Sequence, residues 1–325
     1  MRLAELTMDL PGTWVEGDAQ ISVNGLTHDS RAVSPGSLFV ALPGHQVDGR
    51  RFIPQALDAG AVALALPCDV PAPPSVPVIR LENPRPDLAR LAARFFGEPA
   101  KRLDVIGITG TNGKTTTSTL LAEICQAAGR KEGLIGTIVH RTAGIETVAQ
   151  YTTPEAPQLH SIFAEMECAG VEIVAMEVSS VGLAEHRVDG IPFCAAAFLN
   201  LSPDHLDYHG DMERYGQAKS RLFHELMEPG TTAVINIDDP GGRQLVDELR
   251  TARTGLKIWK LSLNDTSADV YFNHLSQSTE GCLGTLQTPM GSMEIKSPLL
   301  GDFNAANIAC AAALARAVGI DSDAI

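Results

Sequence analysis

Several things are scarce in this 325-residue sequence. Aromatic side chains make up 5% of it. Cationic residues are outnumbered: Lys plus Arg is 25 against 39 Asp plus Glu, a formal net charge of -14. With no basic tract to follow a phosphate backbone, nucleic acid is excluded as an expected partner. The longest apolar runs, such as 59–67 and 308–315, fall far short of the roughly 20 residues that cross a bilayer, so no membrane insertion is expected. Met1-Arg2 is followed at once by Glu5 and Asp9, so the N-terminus lacks the apolar core of a signal peptide. The six cysteines, Cys68, Cys125, Cys168, Cys194, Cys282 and Cys310, form no C-x-x-C pair and no Cys/His cluster at metal spacing. A reducing, cytoplasmic setting is the default for such a pattern.

What is present is ordinary globular composition: 44% hydrophobic and 20% charged residues, with a mean hydropathy of +0.04. The length exceeds what one hydrophobic core usually spans, which points to two domains. A Pro-rich stretch at 67–77 interrupts regular structure, but α/β patterning resumes after it, so it is expected to be a surface connection inside a domain. The break at Gly97-Glu98-Pro99 follows a helix-like stretch and precedes the apolar run Val105-Ile106-Gly107-Ile108, which places a boundary between domains 1–98 and 99–325.

Beyond residue 103, short β-branched runs alternate with helical patterns. Strands are expected at 105–108, 172–177, 194–199 and 233–236, and helices at about 114–128, 155–169 and 212–227. That alternation predicts the α/β class, with a mostly parallel sheet covered by helices. The segments 257–263, 268–276, 282–288 and 292–296 resemble strands without intervening helices, an antiparallel addition, and an Ala-rich helix at 304–318 closes the chain.

The sharpest motif is Thr109-Gly110-Thr111-Asn112-Gly113-Lys114-Thr115-Thr116, directly between a strand and a helix. In that context backbone N–H groups and a helix N-terminus cradle polyphosphate. Lys114 would reach the terminal phosphates and the Thr115 hydroxyl would bind Mg²⁺. The loop departs from G-x-x-x-x-G-K-[ST] in having Ile108 where that pattern has Gly. A GTPase or small-molecule kinase could carry a similar loop, so the loop alone does not select the reaction.

The form T-G-T-N-G-K-T-T resembles the ATP loop of the Mur ligase family, in which Gly110 to Thr116 contact ATP. Further stretches resemble the MurE-type branch, the UDP-N-acetylmuramoyl-tripeptide synthetases. They are Asp29-Ser30-Arg31 with 35–41, Gly44-His45-Gln46-Val47-Asp48-Gly49, Met176-Glu177-Val178-Ser179-Ser180, and 200–210, N-L-S-P-D-H-L-D-Y-H-G. The resemblance covers essentially the whole chain. It implies an N-terminal UDP-sugar-binding domain, a central P-loop ATPase-like domain, and an ATP-dependent, ADP-forming amide ligase of peptidoglycan precursor synthesis. Such an enzyme extends UDP-MurNAc-L-Ala-D-Glu by one amino acid, diaminopimelate or lysine, through an acyl phosphate.

The resemblance also implies roles for single residues. Lys114 and Lys219 become catalytic lysines, and Thr115, Glu177, His205 and Lys219 become the Mg²⁺ set, Lys219 as a CO₂-derived carbamate. Apart from the resemblance, Glu177 is a strand end at the carboxyl edge of a parallel sheet, His205 a loop histidine beside two aspartates, and Lys219 a solvated surface charge. His28, Ser30, His45, Gln46 and Val47 match uridine-nucleotide contacts; Thr152, Thr153, Ser179 and Arg187 match muramoyl-dipeptide contacts. The plainer alternatives are a turn cap for Ser30, a helix start for Thr152-Thr153, and an ion pair with Glu185 for Arg187. Asn304, in 301–307, G-D-F-N-A-A-N, matches a position near adenosine and fits a helix N-cap equally well.

Val181 and Glu185 stand where the family commonly has His and Gln. An extra anion at 185 should weaken binding of an anionic substrate unless Lys or Arg pairs with it. Asn236-Ile237-Asp238-Asp239 resembles a family strand-end motif with no assigned chemistry. Family members carry a third, amino-acid-binding domain, and this chain stops about where the central domain's last helices should finish. The expectation is therefore a ligase lacking its C-terminal domain, with two alternatives: a non-catalytic fragment that binds UDP-muramoyl-dipeptide and ATP, or a folylpolyglutamate-type ligase.

Overall fold

The computed structural model describes residues 1–44, 48–73, 75–252 and 254–325. They form two compact units, one of 1–99 with 155–164 and 185–190, the other of 100–154, 165–184 and 191–325.

The first unit is built on a five-stranded sheet, ordered Thr13–Glu16, Val78–Leu81, Ala63–Pro67, Ser37–Val40, Gly25–Thr27. Only the first pair is antiparallel. The three central strands are buried along their whole length, as expected of parallel strands covered on both faces. Alternate side chains divide between two cores: Leu38 and Val40 join Leu3, Leu6 and Leu91 on one face, while Phe39 joins Ala56, Leu64 and Leu66 on the other. The Pro-rich stretch joins two neighbouring parallel strands of this sheet.

In the second unit eight strands are ordered Lys257–Leu261, Met227–Asn236, Phe193–Phe198, Asp104–Thr109, Ile173–Glu177, Glu132–Ile135, Val139–Thr142, Ile145–Val148. The first six are parallel and the last two antiparallel. The helix Asp302–Ala317 buries Ala305, Ala309, Ala311, Ala312, Ala313 and Ala315, small side chains that let it pack closely on the phosphate-loop helix Lys114–Ala127.

The α/β class and the strand–helix alternation agree with expectation, while two local readings need correction. Lys257–Leu261 is not part of the antiparallel addition; it pairs parallel with Met227–Asn236. Between them lies the helix Pro240–Ala252, hidden in the sequence by its Pro-Gly-Gly start. Pro is at home in a first helical turn, and Gly242 faces the Asn236 carbonyl so closely that a Cβ would collide with it. A strand reached through such a crossover returns parallel. The antiparallel sheet is made of Tyr271–Ser278, Gly281–Thr288 and Gly291–Ser297.

Candidate active site

Strand Asp104–Thr109 delivers the chain to the phosphate loop, which turns into helix Lys114–Ala127 with Gly113 as its N-cap at φ 89°. Only glycine adopts that backbone without strain. The first N–H groups of a helix lack intrahelical acceptors, so they point out of the helix end as an anion cradle. Lys114 folds back over the loop, its Nζ 2.8 Å from the Gly110 carbonyl and 2.7 Å from that of Thr111. Burial holds its pKa below the usual lysine range, with Glu177 and Asp204 pulling the other way.

Glu177, 1% exposed, ends the strand next to the loop. Its carboxylate accepts hydrogen bonds from the Thr115 hydroxyl at 3.2 Å, the Thr137 hydroxyl at 2.8 Å and the Thr137 N–H at 3.0 Å. Two of the four residues of the implied cation set therefore touch. Lys219 is also buried, 1% exposed, with Nζ 3.0 Å from the Gly110 carbonyl and 4.5 Å above the Tyr215 ring. The solvated-lysine reading is thus overturned. Burial, reinforced by Lys114, lowers its pKa to about 7. His205 sits on the exposed loop, in left-handed backbone at φ 52°, with Nε2 3.6 Å from Asp204. Among the described residues no three His, Cys, Asp or Glu side chains form a ready-made cation cage. A hydroxyl and a carboxylate in contact nevertheless suit Mg²⁺, which takes few protein oxygens and keeps water and phosphate for the rest.

Beside the loop opens a groove of about 450 Å³ whose lining includes Asn112, Gly113, Asn200, Asp238, Phe303 and Asn307. Phe303 is 88% exposed. Asn304 points away, donating to the Leu300 carbonyl at 2.8 Å; nor is it the helix N-cap, which is Gly301.

The family model described as Mur ligase middle domain matches residues 108–315, and the one described as Mur ligase family, catalytic domain, matches 22–96. The chain belongs to the Mur ligase family. Among curated relatives, a UDP-N-acetylmuramoyl-L-alanyl-D-glutamate--2,6-diaminopimelate ligase of Gloeobacter violaceus is 43% identical over 326 residues, 100% of this chain and 65% of that protein. The ligase of the same name from Geobacter sulfurreducens is 41% identical, over 100% of this chain and 64% of that protein. A solved structure titled with that ligase name superposes with TM-score 0.85 at 30% identity, covering 100% of this chain and 65% of the other. This Mur ligase chain thus spans just under two thirds of the length of those relatives. Solved structures of lower identity share the fold, such as a UDP-N-acetylmuramoylalanyl-D-glutamyl-2,6-diaminopimelate--D-alanyl-D-alanyl ligase from Acinetobacter baumannii at TM-score 0.69, 20% identity and coverage of 99% and 66% of the two chains.

The remaining candidate residues of this Mur ligase family chain fall in two groups. In the second unit, the buried Thr153 hydroxyl donates to the Glu177 carbonyl and accepts from the Ser179 N–H, both at 3.0 Å. The Ser179 hydroxyl accepts from the Gly182 N–H, and Thr152 shares a hydrogen bond with Thr137. These threonines brace the strand end that carries Glu177 and do not start a helix; the next one begins at Ala156.

In the first unit, Ser30 is buried and donates to Gln55 at 3.1 Å, while Asp29 caps the turn. His28 sits near Glu155, Arg85 and Arg187, and burial lowers its pKa. Arg187 pairs with Glu155 at 2.8 Å and Glu185 with Arg85 at 2.8 Å, partners that the sequence did not suggest. Glu185 has the compensating cation it needs. His45, Gln46 and Val47 lie outside the described residues.

Phe303, Asn307 and Asn200 are candidate site residues that the sequence did not single out. Their signal was present, since the first two occupy the G-D-F-N-A-A-N stretch and the third opens N-L-S-P-D-H-L-D.

Proposed function

We propose that this chain carries the UDP-sugar-binding and ATP-binding parts of a ligase that adds diaminopimelate to UDP-MurNAc-L-Ala-D-Glu with release of ADP and phosphate. The observation that carries the reading is the Thr115–Glu177 contact beside the phosphate loop. It sets a hydroxyl and a carboxylate, the donors Mg²⁺ favours, next to a polyphosphate cradle. The names of the relatives support the substrate and the amino acid.

In this reading the first-turn N–H groups and Lys114 bind the ATP phosphates, exchanging the loop carbonyls for phosphate oxygens. The groove beside Gly113 takes the base, against the Phe303 ring. Thr115 and Glu177, with Lys219 and His205, hold Mg²⁺, whose charge offsets that of the phosphates and of the carboxylate that attacks them. The substrate carboxylate takes the γ-phosphoryl group; the amine displaces phosphate from the resulting acyl phosphate, losing a proton as the amide forms. Arg187 and Ser30 serve the nucleotide-sugar substrate. Lys219, with its pKa near neutrality, has the unprotonated amine that reacts with CO₂, giving a carbamate and a proton.

Calorimetric titration with UDP-MurNAc-L-Ala-D-Glu, with UDP-glucose as control, tests the reading. Saturable binding that needs the muramoyl-dipeptide and weakens in Ser30→Ala is expected. Absence of binding to the folded chain, or equal binding of UDP-glucose, would sink it.

A further inference from the structure

The strand-end motif Asn236-Ile237-Asp238-Asp239 acquires a role from what it touches. Asn236 Nδ2 donates to the Leu199 carbonyl at 2.9 Å, and Asp239 Oδ2 accepts from the Leu201 N–H at 3.2 Å. The two peptides flanking Asn200 are thereby anchored from behind. On its other side Asn200 meets the phosphate loop three times. Its carbonyl accepts from the Thr111 N–H at 3.0 Å. Its side-chain oxygen accepts from the Asn112 N–H at 2.9 Å, and its side-chain nitrogen donates to the Asn112 carbonyl at 3.1 Å.

A carboxamide that both donates to and accepts from a single residue pairs with it as a neighbouring strand would, fixing both of its backbone polar groups. Two consequences follow for an anion in the loop. The Asn112 carbonyl, whose negative end would repel phosphate, is turned onto Asn200 Nδ2. The donors left for phosphate are then those from Gly113 onward, at the helix end where the dipole favours an anion. The bonds lie at an exposed surface, where a hydrogen bond adds little to stability, so their effect falls on loop geometry and not on folding.

We propose that Asn200, backed by Asn236 and Asp239, is a positioning residue that presets the phosphate loop for nucleotide. The inference rests on nucleotide binding at this loop. Its test is titration with a fluorescent ADP analogue, combined with hydrogen exchange of the Asn112 amide and a melting curve, on wild type, Asn200→Ala and Asn200→Asp. Asn200→Ala is expected to bind roughly tenfold more weakly with a near-wild-type melt and a faster-exchanging Asn112 amide, as loss of one or two preorganising bonds implies. Asn200→Asp keeps the acceptor and should keep that amide protected.

Should Asn200→Ala fail to fold, Asn236→Ala, which removes support from behind, is expected to weaken binding in the same direction. A wild type that binds while the folded variants bind equally well, with Asn112 equally protected, overturns the clamp. A purely structural role would lower the melt and leave the affinity of the folded fraction unchanged. A folded wild type that does not bind at all overturns the nucleotide reading, and the clamp's role with it.

Discussion

The hydroxyl of Thr115, in the first turn of the phosphate-loop helix, donates to the carboxylate of Glu177 across 3.2 Å, joining a helix start to a strand end that the sequence separates by 62 residues. Glu177→Gln keeps the shape and removes the charge. In the wild type Mg²⁺ is expected to tighten ADP binding by about tenfold, equivalent to about 1.4 kcal/mol. In the variant, titrations with and without Mg²⁺ should nearly coincide; an undiminished Mg²⁺ effect would remove Glu177 from the cation site.

Lys219 makes stability depend on pH in a defined direction. Its folded pKa of about 7 lies below its ordinary value of 10.5, so between those two values the unfolded chain binds the extra proton. Its contribution to stability therefore improves as pH rises through that window, and the cost of burying the charge is fully present below it. Lys219→Met should raise the melting temperature most near pH 6, with the gain shrinking toward pH 10. An equal gain at all pH values would mean that the lysine does not change charge in the folded chain. If the carbamate forms, labelled bicarbonate should give a carbamate carbon signal that is absent from the variant.

Glu185 and Arg85 form a half-buried ion pair linked through Arg85 to Glu155. Truncating Arg85 to Met removes a cation from both carboxylates, so a loss of about 2 kcal/mol is expected. Adding Glu185→Gln should recover part of that loss. Denaturant melts of the four proteins give the coupling, expected at about 1 kcal/mol; strictly additive losses would mean that the pair contributes nothing.

The sequence made the phosphate loop legible because strand, Gly-x-x-Gly, Lys-Thr and helix are contiguous, and the parallel sheet because its buried strands are short, mostly apolar runs. Four things were not local enough to read. The Pro240–Ala252 helix begins on residues that usually mark turns. The partners of Glu185 and Arg187 come from Arg85 and Glu155, which no spacing rule connects to them. Lys219 lies on an amphipathic helix whose facing depends on the Gly110 carbonyl far away in sequence. The aspartates of the strand-end motif had no visible purpose because each also accepts from a backbone N–H of a distant loop, Asp239 from Leu201 and Asp238 from Leu263.

His205 occupies left-handed backbone, where a side chain costs about 1–2 kcal/mol relative to glycine. The substitution that would most relax this loop is therefore the one that deletes its imidazole. Screens for heat-resistant variants and screens for active ones should part company at this position: the first drawn toward glycine, the second keeping a residue that the backbone resists.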